Sequence, residues 1–182
     1  MLNMVELDTV INLKKVREIN TRKPIETLAD AVALLGGCGI VERSYESAYG
    51  IYLNEKLRPI SFSQHGAGTD SRCPLDIKSM VCHALLENSH NVILIHTHPR
   101  CAGDFTGPSN KDIETTRELE EKLAWFNINL VDSQILYDQD EENIGVFSLK
   151  DFIHYLDEEN QRAQARSKKC VSVARLEQLT EI

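Results

Sequence analysis

A short apolar run that ends in two histidines constrains the fold of this chain most strongly. The sequence NVILI, residues 91–95, is continuous and apolar, which is typical of a strand buried on both faces of a sheet. The next residues are HTHP. Because side chains two positions apart on a strand point to the same side, we expect His96 and His98 to project together and Thr97 to face the other way. Two such imidazoles can share one metal ion at about 2.0–2.1 Å each. The alternative is two unrelated histidines, one at a strand end and one in a loop.

The segment PSNKD, residues 108–112, predicts the start of a helix after a glycine-containing loop. Ser109 is of a type favoured at the N-cap, and Asp112, three residues later, is placed to complete a capping box. The same carboxylate is also placed to complete a set of two histidines and one acid with a position left for water, as in catalytic metal sites. Such a site needs a general base, for which Glu46 is the best-placed candidate and Glu42 the rival. For either acid, a solvated surface position is the simpler interpretation.

The order of the predicted elements favours an α/β or α+β fold, in which helices pack on a sheet. Trp125 and Phe126, at the end of the long helix that follows PSNKD, are expected in the core. Helical spacing predicts helices over 24–37, 73–89, 108–128 and beyond 150. Strand patterns predict a hairpin over 47–68 and strands over 91–95, 129–139 and 143–149. They also indicate a strand or extended arm over 8–20.

Composition and charge exclude several classes of protein. The chain has 182 residues, enough for one domain with a substantial core. The formal charge of −8 argues against nucleic-acid binding through a broad basic face, so a nucleic-acid partner is only weakly supported. A basic cluster near the C-terminus is a local exception that is most simply a solvated helix face; it comprises Arg162, Arg166, Lys168 and Lys169.

Cysteine usage and hydropathy indicate the compartment. Five scattered cysteines with no C-x-x-C pair argue against a disulfide framework and against a cysteine-based zinc site. No apolar run approaches the roughly 20 residues of a membrane span. The N-terminal residues include acids and no unbroken apolar stretch, so they do not resemble a secretion signal. We therefore expect a soluble, cytoplasmic protein with no membrane partner.

The order Glu, H-x-H-P, loop, S-x-x-D resembles the signature of the JAMM (MPN+, JAB) metallopeptidase family, and its surroundings are similar to the RadC-like branch. ESAYGIYLN, residues 46–54, is similar to the branch pattern E-x-F-x-V-L-x-L-D, and NSHNVILIHTHP, residues 88–99, to N-A-A-A-V-I-L-x-H-N-H-P. The resemblance covers about residues 24–149. It implies an N-terminal strand or arm over 1–23, a RadC-like JAB domain over 24–149 and a C-terminal helical extension over 150–182.

The resemblance implies a cytidine-deaminase-like α/β/α sandwich with a mixed central sheet, and hydrolysis of a peptide or isopeptide bond. By analogy with the family, His96, His98 and Asp112 would bind Zn²⁺ and Glu46 would deprotonate the water in the fourth position. Ser109 would donate a hydrogen bond to the substrate carbonyl oxygen as its negative charge develops. A peptide or protein substrate is therefore expected.

The chain departs from the family pattern in the loop before the third ligand. Ser109 follows His98 by eleven residues, three more than is usual, and Arg100 and Cys101 replace the usual Ser-Gly. A Cys101 thiolate near zinc would occupy the water position and silence the site, although an incidental loop cysteine is the simpler interpretation. His65, before GAG, is a further candidate for contact with substrate.

A catalytically silent JAB-fold module that binds a protein or DNA-associated partner is the alternative to an enzyme. Its docking surface, or an oligomer interface, would be the C-terminal helix. The complete set of Glu, His, His, Ser and Asp favours the enzyme, because a scaffold has no physical need for all five. A nucleobase deaminase requires H-x-E and P-C-x-x-C motifs, which the sequence lacks. RadC-type proteins also carry a helix-hairpin-helix region ahead of this domain. Residues 1–23 are too short for one, so we do not expect the DNA-repair association to carry over.

Overall fold

The computed structural model of the chain describes residues 23–36, 46–68, 74–98, 105–138 and 144–179. For residues 35, 36, 138 and 165–179 it describes the backbone alone. The predicted strand or arm over 8–20 lies outside these residues. In chain order the described elements are α1 (Leu28–Gly36), β1 (Ser47–Leu53), β2 (Pro59–Ala67), α2 (Ile77–Leu86), β3 (Asn91–His98), α3 (Asn110–Ala124), β4 (Asn129–Asp138), β5 (Ile144–Ser148) and α4 (Leu149–Leu179).

The strand that carries the two histidines is the central strand of a mixed five-stranded sheet. The strand order is β2-β1-β3-β4-β5, in which β3 runs parallel to β4 and the other neighbouring pairs are antiparallel. Residues 92–95 are buried, as the apolar run predicts. Because β1 is antiparallel to β3 with Ser47 opposite Thr97, the start of β1 lies beside the end of β3. The candidate base and the two histidines therefore lie at the same end of two neighbouring strands.

Helices cover both faces of the sheet, because alternate residues of β1 are apolar on both sides. On one face, Tyr49 and Ile51 pack in a cluster with Ala31 of α1. On the other face, Tyr52 packs in a cluster with Leu119 of α3; Met80 and Ala84 of α2 belong to the same cluster. The α/β class, the mixed sheet and the sandwich of helices around it are confirmed.

Helix α4 follows β5 without a loop and begins inside the core. Leu149 and Ile153 are buried in a cluster with Ile135 of β4. An ion pair of 2.6 Å between Arg117 and Asp157 joins α3 to α4. The C-terminal segment is one continuous helix of 31 residues in the described part of the chain, where the sequence allowed one or two. The domain boundaries at 23/24 and 149/150 remain predictions.

Part of the basic cluster near the C-terminus is neutralised along α4. Arg162 lies 3.1 Å from the Glu158 carboxylate and 2.7 Å from that of Glu159. Arg162 is therefore paired with acids of its own helix, as expected for a solvated helix face. Of the helices in the described ranges, none is both long and apolar enough to cross a membrane.

The prediction that Trp125 and Phe126 belong to the core is wrong. The two residues are 64% and 48% exposed. Helix α3 ends just before them, and Asn127 adopts a left-handed conformation with φ of 55°, so the chain turns there and leaves both rings on the outside. Ile128, 5% exposed, fills the core instead. The Lys122 ammonium lies 4.1 Å from the Trp125 ring centroid, a cation–π contact that suits an exposed indole.

Candidate metal centre

Three side chains with metal-binding atoms meet where β3 ends. His96 and His98 leave the same side of the strand, and their side chains are each 16% exposed. Asp112, in the first turn of α3, is 12% exposed and faces both. One possible ligand atom from each residue lies within 4.8 Å of the other two. The structure therefore brings together the two histidines and the acid that the sequence indicated.

Glu46 lies beside this group, at the residue before β1. Its Oε2 is 3.8 Å from His96 Nε2 and its side chain is 14% exposed. The strand pairing fixes this position, because the Ser47 N–H donates to Thr97 Oγ1 at 2.9 Å on the opposite side of β3. The rival candidate, Glu42, lies outside the described residues.

The start of α3 fixes the orientation of the Asp112 carboxylate. Ser109 donates from its backbone N–H at 2.8 Å and from its hydroxyl at 2.7 Å to Asp112 Oδ2, while the Asp112 N–H donates to Ser109 Oγ at 3.2 Å. This is the capping box that the sequence predicts. The second oxygen, Oδ1, is thereby turned toward His96 Nδ1 at 3.3 Å. One carboxylate thus both caps the helix and faces the imidazoles.

Electrostatics distinguish the two histidines. Burial favours neutral His96, but the Asp112 and Glu46 carboxylates outweigh burial and raise the pKa of His96 to about 9. Burial, followed by the nearby charge of His96, lowers the pKa of His98. Burial opposes ionisation of Asp112, but His96 and Ser109 outweigh it and bring the pKa of this carboxyl to about 2. Because a ligating imidazole must be neutral, a metal ion would displace a proton from His96.

The residues present fit a divalent metal ion. Three points no more than 4.8 Å apart lie within about 2.8 Å of a common centre, so shifts of about 0.6–0.8 Å or less reach the roughly 2.0–2.2 Å of zinc–ligand bonds. His96 Nε2 is buried and has no hydrogen-bond partner in the described part of the chain. Coordination of a metal ion through this atom would remove the free-energy cost of burying it unsatisfied. Two imidazoles and one carboxylate suit zinc and also accept other first-row divalent ions.

A cavity of about 750 Å³ opens on these residues. Its walls include Leu75 before α2, Ile77 at the start of α2, and Lys111 in the first turn of α3. A cavity of this size accommodates a short peptide segment or a drug-sized molecule. The group of ionisable side chains therefore faces a space large enough for a reactant.

His65 does not face this cavity. Its Nε2 lies 2.5 Å from the Tyr52 hydroxyl and 2.5 Å from Ser63 Oγ, and its Nδ1 lies 3.0 Å from Ser79 Oγ. The side chain is buried in this cluster and is not among the described residues that line the cavity. The suggested contact of His65 with substrate gains no support from this position. Cys101, the other secondary candidate, lies outside the described residues.

An aromatic group that the sequence did not indicate lies beside the candidate metal centre. The Phe105 ring stacks on Tyr137 with a centroid distance of 4.2 Å, and lies 6.2 Å from the His98 ring in an edge-on arrangement. The available signal was the position of Phe105 in the loop that is three residues longer than the family pattern. The stacking on Tyr137 depends on the pairing of β4 with β3, which a single sequence does not reveal.

Fold and site together define an α/β domain with a two-histidine, one-aspartate centre at the end of its central strand. The family model described as the RadC-like JAB domain matches residues 25–154, and the chain belongs to this family.

Several similar proteins are known by the name UPF0758 protein. One from Chlorobium chlorochromatii (strain CaD3) is 28% identical over 117 residues, 64% of this chain and 51% of the relative. One from Pseudomonas entomophila (strain L48) is 34% identical over 88 residues, 48% and 38% of the two chains. One from Stenotrophomonas maltophilia (strain K279a) is 35% identical over 82 residues, 45% and 34%. The chain spans about half or less of the length of these curated relatives.

Proposed function

We propose that this chain is a zinc-dependent hydrolase of the JAMM type that cleaves a peptide or isopeptide bond. The observation that supports this most directly is the convergence of His96, His98 and Asp112, with the Glu46 carboxylate 3.8 Å from one imidazole. A structural metal site has no need of an additional acid at the rim of an open cavity. Catalytic sites require one to move a proton.

His96, His98 and Asp112 would hold the ion. When bound, zinc supplies Lewis acidity toward the amide carbonyl and lowers the pKa of water to about 7. Glu46 would take the proton of the attacking water and pass it to the leaving nitrogen, which needs a carboxylate that is not itself a ligand. Its position beside His96, outside the set of three, meets that need.

Ser109 would donate its hydroxyl hydrogen to the substrate carbonyl oxygen. This side chain lines the cavity. In the described structure the same hydrogen is donated to Asp112 Oδ2, so substrate would have to compete with the helix cap for it. The backbone N–H of Ser109, which donates to Asp112 Oδ2 at 2.8 Å, would keep that hydrogen bond during the exchange. A donor placed in this way stabilises the developing oxyanion.

Metal content provides the primary test. We would purify the protein without chelator and compare zinc in the wild type, His98→Ala, Glu46→Gln and the exposed control His90→Ala by elemental analysis. We expect stoichiometric zinc in three proteins: the wild type, Glu46→Gln and His90→Ala. His98→Ala should contain little zinc. Equal zinc in His98→Ala and the wild type would remove the metal centre and the proposal with it.

Activity separates the enzyme from the silent module. Zinc-loaded wild type would be assayed against panels of peptide and isopeptide substrates, with zinc-loaded Glu46→Gln as the matched control. Loss of general base catalysis typically costs about 10²–10⁴-fold in rate, so Glu46→Gln should retain zinc but not turnover. Cleavage at equal rates by both proteins would contradict the role of Glu46. Full zinc with no cleavage of either panel would favour the alternative, a JAB-fold interaction module.

A further inference from the structure

A chain of aromatic contacts connects the edge of the sheet to the metal centre. Tyr137 of β4 lies beside His98 in the parallel pairing of β3 with β4 and opposite Gly145 in the antiparallel pairing with β5. A Cβ added to Gly145 would lie 2.1 Å from the Tyr137 ring. The hydroxyl end of the Tyr137 ring therefore occupies the space that a side chain at position 145 would need.

Phe105 rests on this tyrosine. The two rings are nearly parallel, with an interplanar angle of 11° and centroids 4.2 Å apart. Phe147 of β5 closes on Phe105 from another side at 5.5 Å. Tyr137 and Phe147 therefore hold the Phe105 ring in one plane.

Phe105 also lies against the second imidazole of the metal centre. Phe105 and His98 lie 6.2 Å apart at 69°, and His98 and His96 lie 4.6 Å apart at 88°. Aromatic pairs with centroids about 4.5–7 Å apart attract one another in such edge-on arrangements. The polar contact between the His98 ring and Asp112 is long, 4.0 Å from Nε2 to Oδ2. Among the described residues, the close neighbours of the His98 ring therefore include the rings of His96 and Phe105.

We propose that Phe105, seated on Tyr137, is a positioning residue that holds the His98 imidazole in the orientation needed for metal coordination. This inference rests on the metal centre of the proposed function and extends it to a residue outside the ligand set. Neighbours that fix the ring plane of a ligand raise metal affinity because less freedom is lost on binding. The role is tied to the longer loop of this chain, since that loop delivers Phe105 to the site.

Phe105 variants and a matched control test the proposal through metal affinity, independently of turnover. Phe105→Ala removes the ring, Phe105→Leu keeps apolar volume without it, and Phe105→Tyr keeps the ring. Phe152→Ala is the control, because Phe152 belongs to the same apolar cluster and its ring centroid lies 5.5 Å from that of Phe147. Among the described residues, its ring pairs with neither Phe105 nor His98. The measurements are the zinc dissociation constant by chelator competition, the visible spectrum of the Co²⁺ form, and thermal unfolding.

We expect Phe105→Ala and Phe105→Leu to bind zinc about three- to tenfold more weakly, the range for loss of one aromatic contact. Their Co²⁺ spectra should shift, and Phe105→Tyr should restore both readouts. Phe152→Ala should unfold at lower temperature but bind zinc as the wild type does. Because Phe105→Leu keeps much of the apolar volume, it serves as the test if Phe105→Ala fails to fold.

Two results would overturn the inference while leaving the proposed function intact. One is unchanged zinc affinity in Phe105→Leu, and the other is an equal loss of affinity in Phe105→Leu and Phe152→Ala, which would show a general effect of packing. A wild-type protein that binds no zinc would instead contradict the proposed function itself, and this inference with it.

Discussion

Acidification from pH 7 to pH 5 is expected to destabilise the fold through His65. This side chain is 6% exposed, and its nitrogens face the hydroxyls of Tyr52 and Ser79, among others. Burial, and then the nearby His83 ring, lower the pKa of His65 from 6.5 to about 4, while Asp76 acts in the opposite direction. The folded protein therefore resists protonation at a position where the unfolded chain accepts a proton readily.

The sign and size of the effect follow from linkage. A histidine whose pKa is lowered by folding binds fewer protons in the folded state than in the unfolded state. Its contribution to the free energy of unfolding is therefore complete above pH 6.5 and is lost as the pH falls toward 4. The full difference between 6.5 and about 4 corresponds to about 3 kcal/mol. Between pH 7 and pH 5 the loss is about 2 kcal/mol.

Urea denaturation at pH 7 and pH 5 measures this loss. Wild type, His65→Gln and His90→Gln would be compared with a chelator present, so that metal binding does not contribute. Other groups titrate in the same range, so the decisive quantity is the change in unfolding free energy between the two pH values in each protein. On acidification, His65→Gln should lose about 2 kcal/mol less unfolding free energy than the wild type loses. His90, 44% exposed beside Glu55, is the control and should behave as the wild type. The same change in His65→Gln as in the wild type would contradict this role of His65.

Three further substitutions test the packing around the site. Ser109→Ala removes the N-cap of α3 and should cost about 1 kcal/mol in unfolding free energy by urea denaturation, whereas Ser109→Asp should lose less. Leu119→Ala, at a fully buried position, should cost about 2–5 kcal/mol by the same measurement, against under about 0.5 kcal/mol for the 73% exposed Leu86→Ala. Gly145→Ala should displace the Tyr137 ring and lower the melting temperature in a thermal scan, at a cost of about 1–3 kcal/mol. A Gly145→Ala protein with wild-type stability would show that the ring moves aside freely.

The sequence predicted well whatever depends on local periodicity. The apolar run before His96 identified a central strand, and the two-residue spacing placed His96 and His98 on one side of it. Ser109 and Asp112 predicted the capping box, because a cap depends on four consecutive residues. Placing Glu46 beside the histidines required one further assumption, that the strand after it lies next to β3. The observed pairing of Ser47 with Thr97 satisfies this assumption.

What the sequence did not predict depends on contacts between distant segments. The stack of Phe105 on Tyr137 requires the parallel register of β3 with β4 and the route of a loop, neither of which leaves a periodic pattern. Trp125 was misplaced because an aromatic residue after a helix suggests burial, whereas the left-handed Asn127 turns the chain outward. The hydroxyl partners of His65 come from β1, β2 and α2, so its burial was not readable from its own segment.

The exposed indole at the end of α3 gives the protein an optical reporter. Trp125 is the single tryptophan of the chain. The fifteen residues of α3 separate it from the Asp112 end of the helix by about 22 Å at 1.5 Å per residue. Its fluorescence therefore monitors the solvent near one tip of the helix, while a coordinated ion would act at the other. A change in emission on loading the centre would accordingly report motion transmitted along α3 rather than contact quenching by the ion.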